Sequence, residues 1–164
     1  MFNFFRGPKL EELEYGFYSV RGPPILNGEK LIVAVHPYYQ SKLYHTSFDS
    51  YYVGLTSLLQ NYSGPIITLE ESRRVKDTFK HYLDIGANSN RFFIKTLSSD
   101  PDTKEIEFGE MCDIFNRLRN NKPIHLIGGY FWRKELIVGG CLGHLAVELE
   151  SNSLPVTIDK HLIF

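Results

Sequence analysis

From Lys30 onward, apolar runs of strand length alternate with stretches of helical periodicity, and this alternation narrows the possible folds more than any other feature. Leu31-Ile32-Val33-Ala34-Val35 is uninterrupted apolar sequence, the pattern of a strand buried on both faces. His36-Pro37 stops it. Phe48, Tyr51, Tyr52, Leu55, Leu58, Leu59 and Tyr62 then recur at the spacing of an amphipathic helix, which Thr46-Ser47 can cap and Ser63-Gly64-Pro65 ends. Ile66 to Leu69 reads as a second strand, Glu70 to Leu83 as a helix, and Phe92 to Leu97 as a third strand. After a loop opened by Asp100-Pro101-Asp102, Glu105 to Arg119 carries a third helical pattern. Pro123 to Ile127 is the fourth strand, Cys141 to Glu150 the last helix, and Pro155 to Ile158 a final strand. Strands joined through helices by short connections pair in parallel with right-handed crossovers. The expected fold is therefore α/β, a three-layer α/β/α sandwich with a mostly parallel central sheet of about five strands.

Residues 1–29 read differently. Gly7-Pro8, Gly16, Gly22-Pro23-Pro24 and Asn27-Gly28 are turn formers. Between them, Tyr15 to Val20 has the character of a short edge strand and Leu10 to Leu13 of one helical turn. This segment is expected to form an N-terminal arm or hairpin laid over the sheet, with residues 30–164 as a single α/β domain.

The charge balance excludes some roles. Lys+Arg number 18 against 19 Asp+Glu, a net charge of −1, so neither a basic nucleic-acid surface nor a polybasic membrane sensor is expected. Arg73, Arg74, Lys76 and Lys80 read as the solvated face of one helix. No run approaches the ~18 apolar residues of a membrane span, and Met1 to Arg6 turns polar too soon for a secretion signal. A cytoplasmic location is expected, where Cys112 and Cys141 remain thiols. No histidine spacing matches a metal site, and neither glycine pair fits a dinucleotide or P-loop fingerprint, so no metal or cofactor is assigned.

A parallel sheet opens all strand C-termini on one edge, and ligands bind in the crevice there. The candidates are consequently His36 and Tyr38 after the first strand, Glu70 after the second, Lys95 on the third, and Gly128 and Gly129 after the fourth. The aromatic stretch from Tyr38 to Tyr44 can wall a pocket, present a partner surface or simply pack its loop. Gly139-Gly140 leads into the helix that Cys141 opens. A helix N-terminus carries a partial positive charge suited to an anion or a developing oxyanion, and it favours a thiolate. Cys141 is thus a candidate nucleophile; its competing reading is a small residue packed in a first turn. Lys95 either handles charge at the strand end or points outward with its tip in water. His144 and Glu148 follow Cys141 on the same side of the helix, but the rise per turn carries Glu148 away from the crevice, so they read as a solvated pair.

The order of a strand ending in a polar residue, a strand bearing Lys95, then Gly128-Gly129 and a helix-opening Cys141 resembles the isochorismatase-like cysteine hydrolases. The resemblance covers most of residues 30 to 160. It implies catalytic roles for Lys95 and Cys141, with His36 standing where that family has an aspartate and a longer stretch between Gly129 and Cys141. Two functions follow as expectations. The first is a non-catalytic binding or interaction module, in which the crevice takes a small anionic or carbonyl-containing ligand through Gly128, Gly129, Gly139, Gly140, Tyr38 and Glu70, and in which the chain can form a homo-oligomer. The alternative is a small cysteine-dependent hydrolase or transferase with Cys141 as nucleophile and Lys95 and His36 handling charge and protons.

Overall fold

A computed structural model describes residues 11–12, 17–19, 28–38, 45–86, 92–97, 101–129, 132–134 and 137–163. Of these, 11–12, 17–19, 45–49, 92–97, 101–108, 132–134 and 137–138 are described as backbone. The elements in chain order are β1 (Glu11–Glu12), β2 (Phe17–Ser19), β3 (Leu31–Val35), α1 (His45–Asn61), β4 (Ile66–Glu71), α2 (Val75–Asp84) and β5 (Phe92–Leu97). They continue with α3 (Pro101–Arg119), β6 (Ile124–Gly128), β7 (Trp132–Lys134), β8 (Ile137–Gly139), α4 (Cys141–Ser151) and β9 (Val156–Ile158).

The main sheet runs β1-β2-β5-β4-β3-β6-β9. The five strands from β5 to β9 pair in parallel, as the apolar runs predict. Side chains alternate along a strand, and each face of this sheet buries its own half. Leu31, Val33, Val35, Ile67 and Leu69 pack with Met111, Phe115, Leu142, Leu145 and Leu149 of α3 and α4. Ile32, Ala34 and Ile66 pack instead with Tyr51, Leu55, Leu59 and Tyr82 of α1 and α2. Helices on both faces of a mostly parallel sheet make the three-layer α/β/α architecture expected from sequence.

Four local readings change. Glu11–Glu12 is extended, not a helical turn, and pairs antiparallel with β2. In turn, β2 pairs antiparallel with β5, Phe17 opposite Lys95 and Tyr18 opposite Ile94. The N-terminal strands therefore prolong the sheet instead of lying over it, and they satisfy a β5 edge that would otherwise present unpaired N–H and C=O groups. β4 continues through Glu70 and Glu71, delaying α2 to Val75; the paired ladder with Thr96 and Leu97 holds those glutamates in the sheet. α3 begins at Pro101, a position where proline's fixed φ and missing N–H cost a helix nothing. The segment before Cys141 contains an antiparallel hairpin, β7–β8.

The chain winds outward from β3 to β4 to β5, then returns to place β6 on the other side of β3. That reversal puts the end of β3 beside the end of β6, Val35 opposite Gly128. It is the position where open α/β sheets leave a crevice. Among the described residues, no helix is long and apolar enough to cross a membrane.

Candidate functional site

His36 follows β3 directly, and its N–H still donates to Leu69 O at 2.9 Å. Its φ is 43°, a left-handed value that costs a non-glycine residue roughly 1–2 kcal/mol. The residue is 3 % exposed. The strained turn brings the imidazole back over the strand ends, where Nδ1 lies 2.8 Å from Glu70 Oε1.

Glu70 is fully buried at 0 % exposure, and every contact around it suits a carboxylate. Besides His36, Oε1 accepts from the Glu71 N–H at 3.1 Å. Oε2 accepts from Thr78 Oγ1 at 2.8 Å, and Arg74 Nε stands 3.9 Å from Oε1. A buried carboxylate is costly unless paired and hydrogen-bonded, and this one is both.

The imidazole has a second polar neighbour, the thiol of Cys141. Burial pulls the His36 pKa down, but the Cys141 and Glu70 side chains more than offset it and push it up to about 9. At neutral pH His36 is accordingly an imidazolium, donating from Nδ1 to Glu70.

Cys141 opens α4, a half-buried cysteine outside any disulfide, preceded by Gly140 at φ 80°. Among the described residues no side chain caps that helix N-terminus, which leaves its first-turn amides without a side-chain acceptor there. Cys112 makes the contrast. It is buried, its Sγ lies 3.9 Å from Glu148 O, and its thiol is pushed up to about 11 by burial and by the Glu148 and Asp113 carboxylates.

Gly128 and Gly129 serve the close approach of β6 to β3. A Cβ on Gly128 would stand 2.5 Å from Val35 O, and one on Gly129 2.8 Å from it. The Gly128 N–H donates to Leu162 O. Tyr38, two residues beyond His36, is buried and packs its ring against Tyr52 and His81. Tyr51 Oη donates to Pro37 O at 2.7 Å and ties the turn to α1.

Of the three residues named from sequence as catalytic candidates, His36 and Cys141 come together. The backbone of Lys95 stands level with Leu69 on β4, and Leu69 with Val35 on β3; its side chain lies outside the described residues. Glu70, named as a ligand contact, is instead the buried partner of His36. Thr78 was not named, and Arg74, read as part of a solvated helix face, reaches instead to Glu70 and Tyr38 O; an acidic pair closing an apolar strand was the available signal. His144 is exposed, and the Glu148 carboxylate accepts from Asn152 Nδ2 at 3.2 Å. Among the described residues, no group of three or more His, Cys, Asp or Glu is placed to hold a metal ion.

No protein-family model matches the chain, and no curated protein matches it. The resemblance to isochorismatase-like hydrolases thus stands on the quoted residues alone. Among solved structures, the chain is similar to the terminal R domain from the myxalamid PKS-NRPS biosynthetic pathway, at 14% identity and a TM-score of 0.38. That similarity covers 83% of this chain and 49% of the other, so the chain spans about half the length of this neighbour.

Proposed function

We propose that the chain is a cysteine-dependent hydrolase or transferase acting on a small carbonyl or amide substrate. The observation that carries this reading is the line Glu70–His36–Cys141, in which a buried carboxylate fixes one imidazole nitrogen and a thiol at a helix N-terminus neighbours the same ring. An imidazolium and a helix N-terminus both favour thiolate over thiol.

In the proposed reaction the Cys141 thiolate attacks the carbonyl carbon, forming a C–S bond and a tetrahedral oxyanion. The first-turn amides of α4 are the donors available to that oxyanion. His36 gives its proton to the leaving group as the bond to carbon breaks. Neutral His36 then takes a proton from water, or from an acceptor hydroxyl or amine, which attacks the thioester and releases Cys141. Glu70 keeps the ring oriented and stabilises its charged form throughout. Lys95 retains the charge-handling role expected from sequence. A nucleophile of this kind needs a reducing compartment, and we place it in the cytosol.

The competing reading is a binding module whose crevice takes a small anion without turnover. Iodoacetamide labelling followed by peptide mass spectrometry separates the two. The thiol reading expects Cys141 to be alkylated at least tenfold faster than Cys112 at pH 7, and His36→Ala to slow Cys141 at least tenfold while leaving the buried Cys112 unchanged. Equal, slow labelling of both thiols in the folded protein rejects it.

A further inference from the structure

Between α1 and α2, beside the turn after β3, lies a cavity of about 470 Å³ lined by Tyr38, Tyr52, Arg74, Asp77, Thr78 and His81. Its size falls within the usual range of small-molecule sites. The thiol reading makes no use of this space.

The cavity has three aromatic walls in a connected cluster. Tyr38 and Tyr52 lie 5.7 Å apart and nearly parallel, at 19°. The Tyr38 and His81 ring centroids are 4.0 Å apart, and Tyr52 and His81 are 6.4 Å apart. Such a cluster offers flat π faces to a planar guest. The rest of the lining is polar and carries both signs. Arg74 supplies a guanidinium anchored to Tyr38 O, and Asp77, in the first turn of α2, supplies an exposed carboxylate. Thr78 Oγ1 is already committed to Glu70. The Tyr38 hydroxyl, buried in the wall, has no hydrogen-bond partner among the described residues. Buried hydroxyls of this kind are normally satisfied.

A purely apolar ring would leave the Asp77 carboxylate unused. A simple anion would leave the three rings unused and meet Asp77. The guest that uses both the rings and the carboxylate is planar and carries a hydrogen-bond donor for Asp77. We infer that this cavity binds a nitrogen heteroaromatic ring of nucleobase type. The inference does not depend on the chemistry of Cys141.

The test is calorimetric titration of the intact protein with adenosine, guanosine and cytidine, with phenylalanine and benzoate as controls. At least one nucleoside is expected to bind with a millimolar or tighter Kd, and the controls are expected not to bind. Asp77→Asn should weaken that binding about tenfold, the usual scale for losing one hydrogen bond to a charged group. Tyr52→Ala should weaken it as well, through loss of a wall, and the two substitutions check each other if one perturbs folding. Cys141→Ser should bind the nucleoside unchanged, which keeps failure of the thiol reaction separate from failure of this site. Absence of binding by all three nucleosides overturns the inference. So does binding that survives both Asp77→Asn and Tyr52→Ala, or binding of phenylalanine or benzoate alone.

Discussion

Replacing Glu70 with glutamine leaves the shape of the side chain and removes its charge, so the pH-dependent part of its effect reports the link to His36, while its contacts with Arg74 and Thr78 add a part independent of pH. The imidazole pKa stands at about 9 against 6.5 for the free group, a difference worth roughly 3 kcal/mol of folding free energy. The folded-state value is the higher one. The contribution is therefore complete below pH 6.5 and vanishes as pH rises through about 9. Glu70 shares the work with Cys141, so Glu70→Gln is expected to destabilise the fold by about 2 kcal/mol at pH 6. The gap between the two proteins should narrow by pH 9.5 to the part owed to Arg74 and Thr78. Urea denaturation at both pH values measures the gap, and NMR titration of the His36 ring shows its cause: the wild-type ring titrates near 9 and the variant ring lower. A stability difference independent of pH, or a His36 titration unmoved by the substitution, would refute the charge link and with it the proposed role of Glu70.

Two further substitutions probe the same rim. Gly128→Ala is expected to cost at least 2–3 kcal/mol, because its Cβ would meet Val35 O at 2.5 Å on a backbone at φ 85°. Gly86→Ala provides the comparison: at φ 71° with nothing within 4 Å of the added atom, it should cost only about 1 kcal/mol, the backbone strain alone. Equal losses in urea denaturation would show that the contact with β3 is not what demands glycine at 128. Thr78→Val keeps the volume but withdraws a donor from the buried Glu70 carboxylate, and it should cost about 1–3 kcal/mol. It should also slow Cys141 alkylation, a readout that loss of packing alone would not move.

The layers were legible because burial on both faces writes itself into a strand as unbroken apolar sequence. Leu31 to Val35 and Ile66 to Leu69 could be read without any knowledge of their neighbours. The rim was legible only as a set of positions. His36 and Cys141 are far apart in sequence, and they meet because β6 returns to the side of β3 away from β4, a choice no local pattern encodes. Glu70 and Glu71 preceding Ser72-Arg73-Arg74 resemble the acidic opening of a helix. Only the ladder to β5 and the waiting His36, Thr78 and Arg74 make a buried strand residue of Glu70. Trp132–Lys134 and Ile137–Gly139 carry no sequence signal because so short a stretch has no periodicity to detect.

The main sheet also tapers. On the far side of β6 its long central strands give way to β9, of three residues. At that margin an incoming strand from another molecule would find few backbone groups to grip, too few to outweigh the entropy of ordering it. The β9 margin is thereby poorly suited to sheet-to-sheet joining.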